Sequence, residues 1–387
     1  MTRLDSVYLD HHATTPVDHR VFTEMLPYFS EVYGNAASPD HRFGADAREA
    51  VEQARFRIGR VIGSRADEIV FTSGATEANN LALTGVIRRQ PVPSHVVASA
   101  VEHKAILDCL DAAAADGTDV TLVRVDSHGM VCPDDVGRAI RTDTCLVSIM
   151  AANNEVGTLQ RIQEIGEITK SRGVLFHTDA TQAVGYGELD VKRMNIDLLS
   201  ASAHKCYGPK GIGFLYVSRR KPRVSLEPLL HGGGHEGGVR SGTLNVPGIV
   251  GMGAALALAE QLRGKEAPRL AALCRHMRLR LEEELGECSL HGHPSKRLPN
   301  NLNLGFDGIR AKALVVNLPE LAFSTGSACT SAKAQPSHVL RAMGLSDERV
   351  KEAVRFGLGR STTIGEVDYA VERLVEVVRR LRSVRLA

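Results

Sequence analysis

No stretch of this sequence stays apolar for the ~18 residues that a membrane-spanning helix needs, so none is expected. The opening residues, MTRLDSVYLDHHATTP, carry acidic side chains and no apolar segment. No secretory signal is expected, and the cytoplasm is the expected location. Charge of one sign is missing too: 47 Lys and Arg face 45 Asp and Glu, a formal charge of +2. That balance gives neither nucleic acid nor a membrane surface an electrostatic footprint, so neither is an expected partner. The 7 cysteines, at 109, 132, 145, 206, 274, 288 and 329, form no Cys-x-x-Cys pair and are odd in number. This argues against a disulfide framework and against a zinc site, and most are expected as small buried apolar groups. Histidine is plentiful, at 15, yet no His-Glu-x-x-His occurs, and His11-His12 and His291-Gly-His293 read as structural pairs. No resident metal is expected.

What the chain does have is an ordinary globular composition, 43% hydrophobic and 24% charged, over 387 residues. That length exceeds one small core. The expected division is a large α/β domain over 18–260 and a smaller α+β domain made of 1–17 together with 261–387. The sequence is organised around Leu199 to Gly213, LSASAHKCYGPKGIG. The apolar runs on either side, IDLLSA and GFLYV, read as short buried strands. Lys205 lies in the bend between them, held and partly desolvated. Desolvation disfavours an ammonium and frees the amine to attack a carbonyl. A surface lysine in a hairpin is the plain alternative.

Around this centre, strands and helices alternate. EIVFTSGATEANN predicts a strand, a Ser73-Gly74 turn and a helix from Ala75. Such a junction aims free backbone N–H groups at an anion, with the hydroxyls of Ser73 and Thr76 beside them. No Gly-Lys-Ser/Thr follows, so it is not a P-loop. Helices are expected from Asp18 and over 45–62, a strand with its exit over 96–103 and another over 174–185, a strand over 119–126, and a long apolar strand ending in polar residues over 145–157. This βαβα rhythm predicts a mainly parallel, doubly wound sheet, whose ligands sit beyond the carboxyl ends of the strands. The polar residues gather at those exits: Ser73 to Thr76, Glu102-His103, Asn153-Asn154, and Asp179 with Gln182. HGGGHEGGVRSGTLNVPG (231–248) is too rich in glycine for packed core and reads as a mobile or closely approached loop. One or two helices follow over 249–285. Beyond them, strands around 301–306 and helices around 310–317, 346–354 and 365–383 are expected. A flexible loop over about 321–341 carries Cys329 in a Ser/Thr/Gly-rich stretch, the setting of an exposed reactive thiol.

Lys205 and Cys329 are accompanied by YLDHHATTP, TSGATEANNLA, EHKAILD, NNEVG, HTDATQAVG, SAHKCYGPKG, GGGHEGGVRSGT, STGSACTSA and VRFGLGR. In this order they resemble the cysteine desulfurases of the class V aminotransferase group. The likeness is to the long-loop, housekeeping branch that supplies sulfur to iron–sulfur clusters and tRNA thiolation. It runs nearly end to end and implies fold type I of the pyridoxal-phosphate enzymes, with pyridoxal 5'-phosphate as cofactor and L-cysteine as substrate. By this resemblance Lys205 is the Schiff-base lysine, which also moves the α-proton. Asp179 pairs with the pyridinium nitrogen, His103 stacks on the ring, and Gln182 bonds the phenolic oxygen. Ala75, Thr76, Ser202 and His204 hold the phosphate. Thr243 contacts the phosphate in the neighbouring subunit, which implies a homodimer. Asn154, beside the cofactor, and Arg355 meet the substrate carboxylate, and Cys329 is the nucleophile. The products are L-alanine and a Cys329 persulfide, passed to a protein sulfur acceptor or scaffold; a transient iron–sulfur cluster at Cys329 is the one metal such a site could carry.

The sequence departs from the family pattern in places. His11-His12 stands where small or aromatic residues are usual. Cys206 replaces an aliphatic residue and, alternating with Lys205 along a strand, reads as packing. The tail VVRRLRSVRLA does not match the one with which the iron–sulfur enzymes dock their scaffold, so the acceptor stays open. A selenocysteine lyase or another class V enzyme is the alternative on the same fold. Transamination needs no thiol in a flexible loop.

Overall fold

The computed structural model describes residues 6–90, 94–220, 223–286, 288–325 and 336–386. In chain order the first half holds β1 (Val7–Tyr8), α1 (His19–Met25), α2 (Pro27–Ser30), α3 (Arg42–Ile62), β2 (Ile69–Thr72), α4 (Ala75–Ile87), β3 (His95–Ser99), α5 (Lys104–Ala115), β4 (Asp119–Val123), α6 (Pro133–Ala139), β5 (Thr144–Ser148), α7 (Ile162–Arg172), β6 (Leu175–Asp179), β7 (Leu198–Ser202) and β8 (Gly213–Val217). The second half holds α8 (Val246–Leu285), β9 (Ser289–His291), β10 (Asn301–Gly305), α9 (Ala311–Asn317), β11 (Leu321–Ala322), β12 (Ser324–Thr325), α10 (His338–Ala342), α11 (Asp347–Glu352), β13 (Ala353–Gly357) and α12 (Ile364–Leu386).

Seven strands form the main sheet in the order β2-β8-β7-β6-β5-β3-β4. All neighbours are parallel except β8, which runs antiparallel to both β2 and β7. The expected doubly wound α/β fold is present, with one reversed strand that comes directly from the β7–β8 bend. Strands β7 and β3 are buried along their whole length, as an inner parallel strand covered on both faces must be. A second sheet, β12-β13-β10-β9, is antiparallel, and β1 pairs with β11 beside it.

Local chemistry sets the helix ends. Asp18 caps α1 by accepting from the Arg20 N–H at 3.0 Å. Gly63, at φ 73°, closes α3 in the left-handed conformation that costs glycine least. The α3 core face is Ala47, Ala50, Val51, Ala54, Ile58 and Ile62, spaced three and four apart. Full burial of Ile58 and Ile62 stabilises by roughly 1.5–3 kcal/mol each. At the crossing of α3 and α8, a Cβ on Gly253 would lie 2.8 Å from Ala54 Cα, so only glycine allows the two backbones to approach.

Several boundaries differ from the sequence reading. Helix α3 starts at Arg42, because His41 caps it through Gly44 N–H. The strand expected over 145–157 ends at Ser148; the apolar residues after it are buried in an exit loop turned by Asn153. The helix expected over 346–354 stops at Glu352 and the chain turns into β13. Residues 249–285 form part of one 40-residue helix that carries Pro268 without breaking. Helix α8 packs in two cores. Its residues up to Leu256 join the core under the main sheet, and those from Leu270 join a second core with Val7, Leu9 and α12.

Candidate active site

The carboxyl ends of β7, β6 and β5 and the amino end of α4 open on one cavity of about 560 Å3. Lys205 ends a short 3-10 turn, Ala203–Lys205, that follows β7. Its Nζ donates to the carbonyls of His12 at 2.6 Å and Ala13 at 2.8 Å. Because this is a turn and not a strand, the alternation argument for Cys206 fails. Its conclusion holds for another reason: Cys206 is buried, its Sγ donates to the Ala203 carbonyl at 3.3 Å, and burial pushes the thiol up to about 12.

Asp179 is the last residue of β6, and both its oxygens are held. Oδ2 accepts from Asn79 Nδ2 at 2.8 Å and Oδ1 from Thr181 N–H at 2.9 Å. Two residues back, His177 bonds Ser148 and Ser200 across the neighbouring strands, and burial pushes its pKa down to about 4. A neutral imidazole there leaves Asp179 free to balance a cation in the cavity. His103 caps α5, its Nδ1 accepting from Ala105 N–H at 3.1 Å, and burial lowers its pKa. Gln182 and His12 form a reciprocal pair, described below.

At the other end, Ser73, Gly74, Ala75 and Thr76 line the cavity with the first turn of α4. The first turn of a helix leaves its N–H groups without internal partners, as for Ala75 and Thr76, whereas the Ser73 N–H is taken by Glu77. Ser202 and His204 line the same end. His204 is held by Thr14 at 3.2 Å; burial first and then Lys205 push it down to about 4. Glu77 accepts from Ser73 N–H at 2.7 Å and from Arg240 Nε at 2.9 Å.

Asn154 lines the cavity, and its carbonyl accepts from Arg355 Nη1 at 3.0 Å. Arg355, on β13, is 3% exposed, and its Nη2 donates to Asp10 at 2.8 Å and Ser324 at 3.1 Å. Its Nε has no partner among the described residues. Cys329 lies outside the described residues. The chain on either side of that stretch is tied to residues behind the cavity lining. Ser324 bonds Asp10 and Arg355. Ser337 donates to Glu155 at 2.5 Å, and His338 Nε2 to the Glu102 carbonyl at 2.9 Å. Thr243 is exposed and does not line this cavity.

The fold thus brings together Ala75, Thr76, His103, Asn154, Asp179, Gln182, Ser202, His204 and Lys205, with Arg355 behind Asn154. Sequence reasoning missed Asp10, the His12 and Ala13 carbonyls, Asn79 and the Glu77–Arg240 pair. It assigned His12 to structure alone. Asn79 carried a faint signal, standing one turn after Thr76 on the same helix face. Among the described residues no three His, Cys, Asp or Glu side chains are grouped to hold a metal ion, and no helix is long and apolar enough to cross a membrane.

An amine, a held carboxylate, a neutral imidazole and an anion-binding helix end around one cavity suit a phosphorylated pyridine aldehyde. Thr181 Oγ1 and Asn79 Oδ1 are buried at its wall without partners among the described residues. The family model "Aminotransferase class-V" matches residues 7–370. The chain belongs to the class-V aminotransferases. It is 52% identical over 378 residues to "Cysteine desulfurase IscS" of Anaeromyxobacter dehalogenans (strain 2CP-C), covering 97% of this chain and 93% of that one. Among solved structures, a "NIFS-LIKE PROTEIN" superposes with a TM-score of 0.90 at 36% identity, over 97% of this chain and 99% of its own. Another, titled "SspA in complex with cysteine", has a TM-score of 0.81 at 36% identity, over 91% and 98%. The chain is a cysteine desulfurase that depends on pyridoxal phosphate and has the type I fold of those enzymes.

Proposed function

We propose that this desulfurase works through Lys205 and Cys329, with Asp179, His103, Gln182, Ala75, Thr76, Ser202 and His204 holding the cofactor. The observation that carries this reading is the convergence of Lys205, Asp179, Gln182 and the α4 amino end on one cavity. When bound, pyridoxal phosphate supplies the carbonyl that condenses with an amine and a ring that holds carbanion charge. Asp179, held by Asn79 and Thr181, sets the negative charge opposite the pyridine nitrogen. Neutral His103 covers the ring without adding charge. Arg355 and Asn154 take the substrate carboxylate, so that cysteine enters with its Cα toward Lys205. Lys205 Nζ takes the α-proton and returns one. The Cys329 thiolate attacks the substrate sulfur: the new S–S bond forms, the substrate C–S bond breaks, and the carbon gains a proton. L-alanine leaves, and Cys329 keeps the persulfide.

The sulfur then passes to a protein acceptor, an iron–sulfur scaffold or a tRNA-thiolating enzyme, in the cytoplasm. We assign the working state to a homodimer in which Thr243 reaches the partner's phosphate. Two features support this. Thr243 is exposed on its own subunit. Phe22 on α1 and Leu26 just after it, together with Phe29, Tyr33 and Phe43, are large apolar side chains left 46–66% exposed. The test is to mix the protein with L-cysteine and a thiol reductant and quantify alanine and sulfide beside Cys329→Ser. Equal alanine and sulfide from wild type, with neither from the variant, is expected. Alanine from both would remove Cys329 from the reaction.

A further inference from the structure

His12 has no counterpart in the roles above, yet it touches two residues that carry them. Its carbonyl accepts from Lys205 Nζ at 2.6 Å and from Gln182 Nε2 at 3.1 Å. Its ring Nδ1 meets Gln182 Oε1 at 2.9 Å. The ring is 2% exposed and packs on β13, where a Cβ on Gly357 would lie 2.8 Å from His12 Cδ2. It therefore has no room to turn.

The chemistry of the pair fixes its protons. An amide oxygen can only accept, so Nδ1 must carry the hydrogen that bridges it to Gln182. Burial, together with the positive charges of Arg355 and Lys205, keeps the ring neutral, pushing its pKa to about 3. Nε2 then carries no hydrogen, and the Asn300 backbone also acts on the ring. An amide side chain exchanges its oxygen and nitrogen by a half-turn of its last torsion. Here that turn would set N–H against the His12 Nδ1–H and oxygen against the His12 carbonyl. The contact with the carbonyl would become repulsive, and the ring contact would survive only if His12 moved its hydrogen to Nε2. Gln182 is thus held with its NH2 toward the His12 carbonyl, and because that group has two hydrogens, one remains to donate into the cavity that Gln182 lines.

We propose that His12 is a positioning residue for the desulfurase reaction: its carbonyl and ring together fix the Gln182 amide so that an N–H, not the oxygen, faces the phenolic oxygen of the cofactor. This role rests on Gln182 facing that oxygen, as proposed above. A donor there stabilises the phenolate and so sets the pH at which the Lys205-bound chromophore changes colour. In the reversed orientation two oxygens would face each other.

The test is a pH titration of the visible spectrum of the pyridoxal-phosphate-loaded protein, for wild type, His12→Ala, His12→Asn, Gln182→Ala and His12→Ala/Gln182→Ala. One hydrogen bond to a charged oxygen corresponds to a midpoint shift of about one pH unit, tenfold in proton affinity. Gln182→Ala is expected to shift the midpoint by that amount, His12→Ala, which keeps the carbonyl but loses the ring contact, in the same direction by less, and the double variant no further than Gln182→Ala. His12→Asn, whose amide N–H reaches toward Gln182, should recover at least half the shift and serves if His12→Ala does not load. A midpoint that moves in Gln182→Ala but not in His12→Ala, or single shifts that add in the double variant, would overturn the role of His12 alone. A silent Gln182→Ala would overturn the placement of Gln182 and the role of His12 with it. Thermal melting of the same samples checks that each variant is folded.

Discussion

A buried ion pair ties the glycine-rich segment after β8 to the main sheet, and removing its acid should be costly. Glu236 is 2% exposed in its side chain and Arg55 9%. The Glu236 oxygens accept from Arg55 Nη1 at 2.9 Å, Arg55 Nη2 at 2.8 Å and the Phe71 N–H at 2.8 Å. Phe71 lies on edge strand β2, so its N–H has no strand partner on that side. Glu236→Ala strands a buried guanidinium and an edge amide together. Loss of one partner from a buried pair typically costs about 3–5 kcal/mol. Arg55 keeps the Ile69 carbonyl at 2.5 Å, the half-exposed Glu52 at 3.1 Å and the face of Phe71, 4.6 Å from its ring centre. These reduce the expected loss to about 3 kcal/mol, the low end of that range. The backbone supplies an internal control. Glu236 has φ 51°, a left-handed conformation that costs a side-chain-bearing residue about 1 kcal/mol. Glu236→Gly should therefore lose about 1 kcal/mol less than Glu236→Ala. Replacing both partners, Arg55→Met with Glu236→Leu, should recover most of the loss, because no charge is left buried. Urea unfolding of the cofactor-loaded protein, followed by far-ultraviolet circular dichroism, reads these differences as midpoints at constant slope. A loss below about 1 kcal/mol in Glu236→Ala would refute the reasoning, since it would mean that water reaches Arg55 through the neighbouring cleft as readily as Glu236 does.

Other outcomes follow from single side chains. Burial pushes Glu102 up to about 8, so the folded protein holds a proton there that the unfolded chain releases near its ordinary 4.5. The stability contribution of Glu102 then falls as pH rises from about 4.5 to about 8, and Glu102→Gln should flatten that decline in melting temperature without disturbing the bonds from Ser99 and Met150. An equal slope in wild type and variant would show that the carboxyl is already ionised. Arg355→Lys keeps a charge but loses the planar fork, so KM for L-cysteine should rise by about tenfold or more while cofactor loading is unchanged; an unchanged KM would remove Arg355 from the carboxylate. Brief alkylation of the native protein should label exposed Cys132 and spare Cys206, whose thiol is buried and raised to about 12, as mass spectrometry of the peptides would report. Early labelling of Cys206 would contradict its packing role.

The parts of the site that are local in sequence were legible. A strand, a turn and a polar exit lie within a dozen residues of one another, so Ser73 to Thr76, His103, Asp179 with Gln182, and Lys205 could each be marked from pattern alone. Strand lengths were over-read where apolar residues continue into buried loops, as after Ser148, because burial and extended pairing give the same hydrophobic signal. The partnerships were not legible. Arg355 meets Asp10 across 345 positions and His12 meets Gln182 across 170, and no periodicity carries that distance. Glycine content marked 231–238 as a loop that could not be core. It could not mark that Glu236, between those glycines, ties the loop to β2.

Histidine abundance has an electrostatic meaning that a residue count hides. His12, His103, His177 and His204 surround the cavity or its floor, and burial lowers the pKa of every one. At neutral pH they are donors and acceptors without charge. Lys205 is among the groups that hold His12, His103 and His204 down. Such coupling is mutual: a proton on any of them would also disfavour the ammonium of Lys205. Four imidazolium groups here would oppose the proton transfers proposed for Lys205 and would compete for Asp179 with the cofactor proposed to meet it. Neutral rings keep the hydrogen bonds and leave Asp179 and Lys205 as charged groups of the cavity lining. The histidines thus belong to the polar framework of a pyridoxal-phosphate site, and their number carries no argument for a metal.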